Sequence, residues 1–232
     1  MTSPESLHPP TARVVRQLVS QAPADDLAES VALLQGVASG ELTEDRVVRI
    51  YTPRPTLAMS RSESRLPGFA AAGAAAAERG FTPAVRPTGG RAVAYDESCV
   101  VFDVVWRDTT SIDSRGFFES VATALATLLR DVGVDARVGA VAGEYCPGPF
   151  SVNARGRVKL IGTSQRAVRG ARLISGMLAL GDVTQLVDVL VDANYSLHLD
   201  WDPRTFGSMR QERPDVGRTV LEDALVAGLI LT

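Results

Sequence analysis

The sequence predicts a single α/β domain built on a mixed, largely antiparallel sheet with helices packed against it. Three observations carry that expectation. Several β-like runs come in close pairs, such as 82–86 with 91–95 and 151–153 with 158–162, without regular strand–helix alternation. The run SCVVFDVVW (residues 98–106) is apolar almost throughout, as a central strand buried on both faces must be. No linker or internal repeat divides the 232 residues, a length suited to one domain.

The elements follow in chain order. Residues 1–12 are polar and proline-rich and read as a flexible N-terminal arm, leaving 13–232 as the domain. Residues 13–20 fit a strand or a helix. Residues 24–37 carry Leu27, Val31 and Leu34 on one helical face. A strand at 47–51 is ended by Pro53 and Pro55, and a short one follows at 57–60. Pro67 opens an alanine-rich helix to Arg79, stopped by Gly80. The longest helical pattern is 117–132, with Phe118, Val121, Leu125, Leu128 and Leu129 in register. A short strand at 136–138 and a Gly/Pro-rich loop at 139–150 precede strands at 151–153 and 158–162, joined by a turn at 154–156. Another strand is expected at 172–180, and helices at 183–191 and 216–231.

Composition narrows the function. The chain is 45% apolar and 22% charged, enough to bury a sizeable core. A net charge of −3 gives no reason to propose nucleic acid or an anionic membrane as partner. No apolar stretch is long enough for a spanning helix, and the N-terminus lacks a secretory apolar core. Two cysteines and two histidines without metal-ligand spacing predict no metal, and the low cysteine count fits the cytoplasm.

Three segments combine residue types that chemistry uses. RPTGGRAV (86–93) lies between two β-like runs, where adjacent glycines permit a tight turn or close approach to a ligand. From spacing alone a plain hairpin turn, for which Gly-Gly is common, is the simpler reading. GEYCPGPF (143–150) places Cys146 in a loop, because Pro147 and Pro149 exclude a long helix. Cys146 is then either an inert loop thiol or a nucleophile. Cys99, inside CVVF, reads as a core residue, and a disulfide between the two is disfavoured. RVKLIGTSQR (157–166) contains Lys159, the single lysine among 24 basic residues. Lysine offers a compact charge with a shiftable pKa, which arginine cannot. Residues 145–181 contain no Asp or Glu but six basic residues: Arg155, Arg157, Lys159, Arg166, Arg169 and Arg172. That suits an acidic partner or an anionic ligand, or simply a solvated strand face.

Taken together, these segments resemble the biotin/lipoate protein ligase superfamily, and within it the lipoate/octanoate transferase branch of lipoyl/octanoyl amidotransferases, octanoyltransferases and lipoate–protein ligases. The resemblance covers roughly residues 24–200. It implies a catalytic domain of that type across 13–232. It implies that Arg86, Thr88, Gly89, Gly90, Arg91 and Ala92 line an acyl tunnel. Lys159 and the following Gly162, Thr163, Ser164 and Gln165 are similar to the motif whose lysine contacts the acyl carbonyl. The Cys146 segment is similar to the cysteine motif of the amidotransferases, which implies a Cys146 thioester acyl-enzyme. His198 could act as a base, but no motif supports it. Tyr95 stands where the family often has a histidine.

The function implied is octanoyl or lipoyl transfer from a carrier protein to the acceptor lysine of a lipoyl domain in a dehydrogenase complex. The donor would be glycine cleavage H protein or acyl carrier protein. Lipoate or octanoate enters as the substrate group, with no cofactor beyond it. Two alternatives remain open: an ATP-dependent lipoate–protein ligase, which alone would need ATP and Mg, and a non-catalytic carrier-binding protein.

Overall fold

The computed structural model describes residues 11–108 and 114–231. The strands are β1 (Ala12–Gln17), β2 (Arg46–Tyr51), β3 (Thr56–Ser60), β4 (Thr82–Arg86), β5 (Val93–Tyr95), β6 (Cys99–Asp108), β7 (Ala136–Val138), β8 (Val152–Ala154), β9 (Val158–Val168) and β10 (Gly170–Ala179). The helices are α1 (Pro23–Ser39), α2 (Phe69–Glu78), α3 (Ser114–Asp131), α4 (Thr184–Ser196), α5 (Met209–Glu212) and α6 (Arg218–Leu231). A seven-stranded sheet runs β1-β2-β6-β10-β9-β8-β7, and a three-stranded sheet runs β4-β3-β5. Among the named strands of the described residues only β1/β2 and β3/β4 pair in parallel, so the mixed, largely antiparallel α/β architecture expected from the sequence is the one found.

β6 sits near the centre of the large sheet and is covered on both sides, which is why residues 99–106 are apolar except for Asp103. Val100, Phe102 and Val104 face α3 and α6, in a core with Leu125, Leu129 and Leu225. Val101 and Val105 face the other way, but into two separate clusters. Val101 joins Tyr51 and Met177 beneath the small sheet, α2 and α4; Val105 joins Val47 and Leu173 beneath α1.

Between those clusters runs a row of polar residues. The strand register places Ser164 opposite Ser175, Ser175 opposite Asp103, and Asp103 opposite Arg49. Arg49 is fully buried. Its guanidinium donates to Asp103 Oδ2 at 3.1 Å, Asp26 Oδ1 at 2.7 Å and Gln17 Oε1 at 2.5 Å, and lies 4.1 Å from the Tyr51 ring centre. Ser30 donates to Asp103 Oδ2 at 2.7 Å and Ser175 to its Oδ1 at 2.5 Å. Burial pushes Asp26 up from the usual carboxylate value, against the pull of Gln17 and Arg49.

Several boundaries differ from the sequence expectation. Of the segment 13–20, only the part up to Gln17 is strand, within the edge strand β1 (Ala12–Gln17). Thr11 and Ala12, counted with the arm, are instead tied to the sheet: Thr11 N donates to Asp45 Oδ2 and Ala12 pairs with Arg46. Residues 1–10 lie outside the described residues. The alanine-rich helix starts at Phe69 rather than at Pro67. Gly68 precedes it because a Cβ there would lie 1.7 Å from the Ser196 carbonyl oxygen of α4. β9 runs on to Val168 and α4 to Ser196. The most consequential difference is that β4 and β5 are not a hairpin. Each pairs with β3 from opposite sides, so the segment between them crosses the end of β3.

Removing one partner from a buried ion cluster leaves the others uncompensated. Arg49→Met is therefore expected to lose about 3–5 kcal/mol of stability in urea denaturation. A loss below about 1 kcal/mol would show that the cluster is not held as an ion pair network.

Candidate active site

The crossing segment, residues 87–92, becomes a rigid arch because two buried charged side chains hold its backbone. Arg86 donates to the carbonyls of Gly89 at 2.6 Å, Arg91 at 2.7 Å and Ala58 at 3.3 Å. Glu63 accepts from the backbone N–H of Ala92 at 2.7 Å and of Ser60 at 2.8 Å. Gly90 has φ of 90°, and a Cβ there would lie 2.9 Å from Arg86 Nη2 and 3.3 Å from Cys146 Sγ. Its partner Gly89 has open space around it, so only one glycine of the pair is sterically required.

Beneath the arch lies a cavity of about 440 Å³. It brings the three sequence segments together. Arg86, Thr88, Gly89, Gly90 and Arg91 line it from the arch, Cys146 from the Gly/Pro loop, and Lys159, Gly162, Thr163, Ser164 and Gln165 from β9. Ser164 Oγ donates to Thr88 Oγ1 at 2.8 Å, joining sheet to arch. Ala92 is the exception: its side chain is fully buried in the apolar core and its N–H is used by Glu63, so it does not reach the cavity.

Cys146 is half-buried, with Sγ 3.3 Å from the Arg91 backbone N–H, which points at it as a donor. Lys159 Nζ donates to the Cys146 carbonyl at 2.7 Å and lies 3.6 Å from Glu144 Oε1. Its ammonium also sits 4.8 Å from the Tyr145 ring centre. Burial pushes the lysine below its ordinary pKa, while Glu144 and Cys146 pull it back up. The side chain reaches this place across Gly162, where a Cβ would come within 2.8 Å of Lys159 Cε. The Lys-x-x-Gly spacing thus follows from room for the lysine.

Glu144 escaped the sequence reading although it adjoins Cys146. It is buried and accepts from Ser151 Oγ at 2.8 Å and the Gly148 N–H at 2.9 Å, fixing the cysteine loop as well as neutralising Lys159. Asp103, Ser30 and Ser175 also line the cavity and were missed, because a polar residue inside an apolar strand or helix carries no local signal of its cross-strand partners. Tyr95 lines the cavity from β5; burial drives its phenol up from the ordinary value. His198 is exposed at the end of α4 with φ of 54° and is not on the cavity.

The basic stretch 145–181 is less free of acid in space than in sequence. Arg155 pairs with Glu212, Arg172 with Asp108 and Lys159 with Glu144. Cys99 is fully buried on β6, and burial drives its thiol up to about 12. Among the described residues no His, Cys, Asp or Glu cluster could hold a metal ion, and no helix is long and apolar enough to cross a membrane.

Comparison with known proteins identifies a family and a shared fold. A family model, the lipoyl protein ligase A/B catalytic domain, matches residues 22–206. An octanoyl-[GcvH]:protein N-octanoyltransferase of Anoxybacillus flavithermus is 33% identical over 171 residues, 72% of this chain and 60% of the relative. One of the same name from Geobacillus kaustophilus is 27% identical over 82% of this chain and 65% of its own length. The chain thus spans less than two thirds of these relatives. In fold it is similar to a lipoate-protein ligase A solved with ATP, with a TM-score of 0.73 at 19% identity over 94% of this chain and 83% of that one. A putative lipoate protein ligase from Thermoplasma acidophilum also gives 0.73, at 21% identity over 96% and 85%.

The two thiols differ enough to be told apart chemically. At about pH 8, iodoacetamide is expected to alkylate Cys146 and leave Cys99 untouched, as read by peptide mass mapping of the native protein. Labelling of Cys99 at a comparable rate would contradict the packing of β6.

Proposed function

The chain belongs to the lipoyl protein ligase A/B catalytic domain family, and on that basis we propose that it transfers an octanoyl or lipoyl group from a carrier protein to the acceptor lysine of a lipoyl domain through a thioester on Cys146. Residues 13–232 then act as one catalytic domain. The observation that carries this reading is the position of Cys146 Sγ, on the cavity beside Gly90, with the Arg91 N–H aimed at it and Lys159 bonded to its carbonyl. The names of the relatives favour glycine cleavage H protein as donor and octanoyl as the group carried. Lipoyl domains of dehydrogenase complexes are the acceptors on this reading.

The chemistry proceeds in two balanced steps. The Cys146 sulfur attacks the carbonyl carbon of the acyl-lysine amide on the donor, the C–N bond breaks, and the donor lysine leaves as an amine after taking a proton. The amine of the acceptor lysine then attacks the thioester carbonyl, the C–S bond breaks, and the sulfur leaves while the amine gives up its proton. Lys159 serves both steps. Its ammonium stabilises negative charge on the carbonyl oxygen, and its lowered pKa makes it a better proton donor to the leaving amine. Glu144 keeps that charge in place. Tyr95 occupies a wall position and takes no proton-transfer role, since burial disfavours its ionised form.

Two outcomes test this. Intact-mass analysis after mixing with octanoyl-loaded H protein is expected to show an octanoyl adduct on the wild-type chain and on Cys99→Ala, and none on Cys146→Ala. An unchanged adduct on Cys146→Ala ends the acyl-enzyme reading. An adduct that requires ATP and free octanoate would identify a ligase instead. Lys159→Arg is expected to reduce transfer at least about a hundredfold, because the planar guanidinium cannot follow the path over Gly162 and does not release a proton. Transfer at the wild-type rate would remove Lys159 from the mechanism.

A further inference from the structure

Three successive rows of residues cross the cavity face of the large sheet. The first, Gly162–Met177–Val101–Tyr51, lies beneath Lys159 and is apolar. The second is the polar row Ser164–Ser175–Asp103–Arg49. The third holds Leu173, Val105 and Val47, fully buried against Leu34 and Val37 of α1. Every residue of the first two rows except Arg49 lines the cavity, and none of Leu173, Val105 and Val47 does. On this face of the sheet the open space therefore stops at the polar row, while around the edge of β9 it reaches Gln165, Phe118 and Phe150.

We propose that Ser175 and Ser30, held by Asp103 and Arg49, form the end wall of the acyl cavity and limit the saturated chain it accepts to eight carbons. The inference rests on the acyl-transfer reading above and assigns its specificity residues. Two residues along a strand span about 7 Å and adjacent strands lie about 5 Å apart, so Gly162 to Ser175 is a diagonal of about 9 Å. An extended octanoyl chain spans about 9 Å from carbonyl to methyl carbon. Its carbonyl beside Lys159 puts its methyl at Ser175. A longer chain must push into hydroxyls already donating to Asp103, and hydrocarbon cannot replace those hydrogen bonds. Nor can the wall retreat, because Asp103 is braced by the fully buried Arg49 and the third row is close-packed. Ser175 is the half-buried member, so it is the one a chain end meets.

The test uses direct binding, independent of catalysis. The Cys146→Ala chain is titrated calorimetrically with hexanoate, octanoate, decanoate and dodecanoate. Affinity is expected to rise about fourfold per methylene up to octanoate and then to stop rising. Adding Ser175→Val should weaken octanoate about tenfold while hexanoate changes by less than about threefold. Adding Ser175→Ala, the gentler change, should move the break outward, so that decanoate gains about fourfold. Thermal melts by circular dichroism establish that each variant is folded, and Ser175→Ala alone decides the matter if the valine variant is not. A break that stays at eight carbons in the folded variants, or an affinity that climbs through dodecanoate in the parent, overturns the wall. Absence of binding at every length overturns the acyl-cavity reading itself, and the wall with it.

Discussion

Arg49 is an arginine with no access to water, and the cavity side of the fold is arranged around its needs. A buried guanidinium must have its charge compensated and its donors paired. Asp26 comes from α1, Asp103 from β6 and Gln17 from β1, so satisfying one side chain requires that helix and those strands to sit where they do. Ser30 and Ser175 complete Asp103 and bring β10 into the same network. The result separates two apolar clusters on one sheet face, one close-packed beneath α1 and one left open as the cavity.

A similar economy governs the arch. Arg86 was expected to meet substrate, and it does border the cavity, but its guanidinium is largely occupied by carbonyls of its own segment. Glu63 does the same for the N–H groups. Together they make a loop that behaves as a rigid wall, which keeps Gly90 against Cys146 and aims the Arg91 N–H at the sulfur. Preorganised donors of this kind cost no reorganisation when charge develops nearby.

Lys159 and Glu144 show why a lone charged residue in a strand pattern can be read only halfway. The lysine is conspicuous in a chain that otherwise uses arginine, and its glycine three residues on is conspicuous too. The carboxylate that compensates it comes from the loop before β8, and nothing local announces that the two meet. Burial favours the neutral amine and Glu144 favours the ammonium, and this opposition is what tunes the group.

The sequence by itself determined what depends on local pattern. Apolar periodicity marked the long helices, the nearly unbroken apolarity of residues 98–106 marked the central strand, and prolines confined Cys146 to a loop. The ordered segments 86–93, 143–150 and 157–166 carried a family resemblance that implied one shared acyl site. Only the tertiary structure decided what depends on pairing between distant residues. It joined β4 and β5 to β3 rather than to each other, because strand partners are chosen by the whole sheet and not by the turn between them. It withdrew Ala92 from the cavity, gave Lys159 its carboxylate, and aligned Ser164, Ser175, Asp103 and Arg49 into one row. Ser164 and Ser175 face each other across the β9–β10 hairpin, but Asp103 and Arg49 lie far from them in the chain; only hydrogen-bond register in the assembled sheet makes all four neighbours.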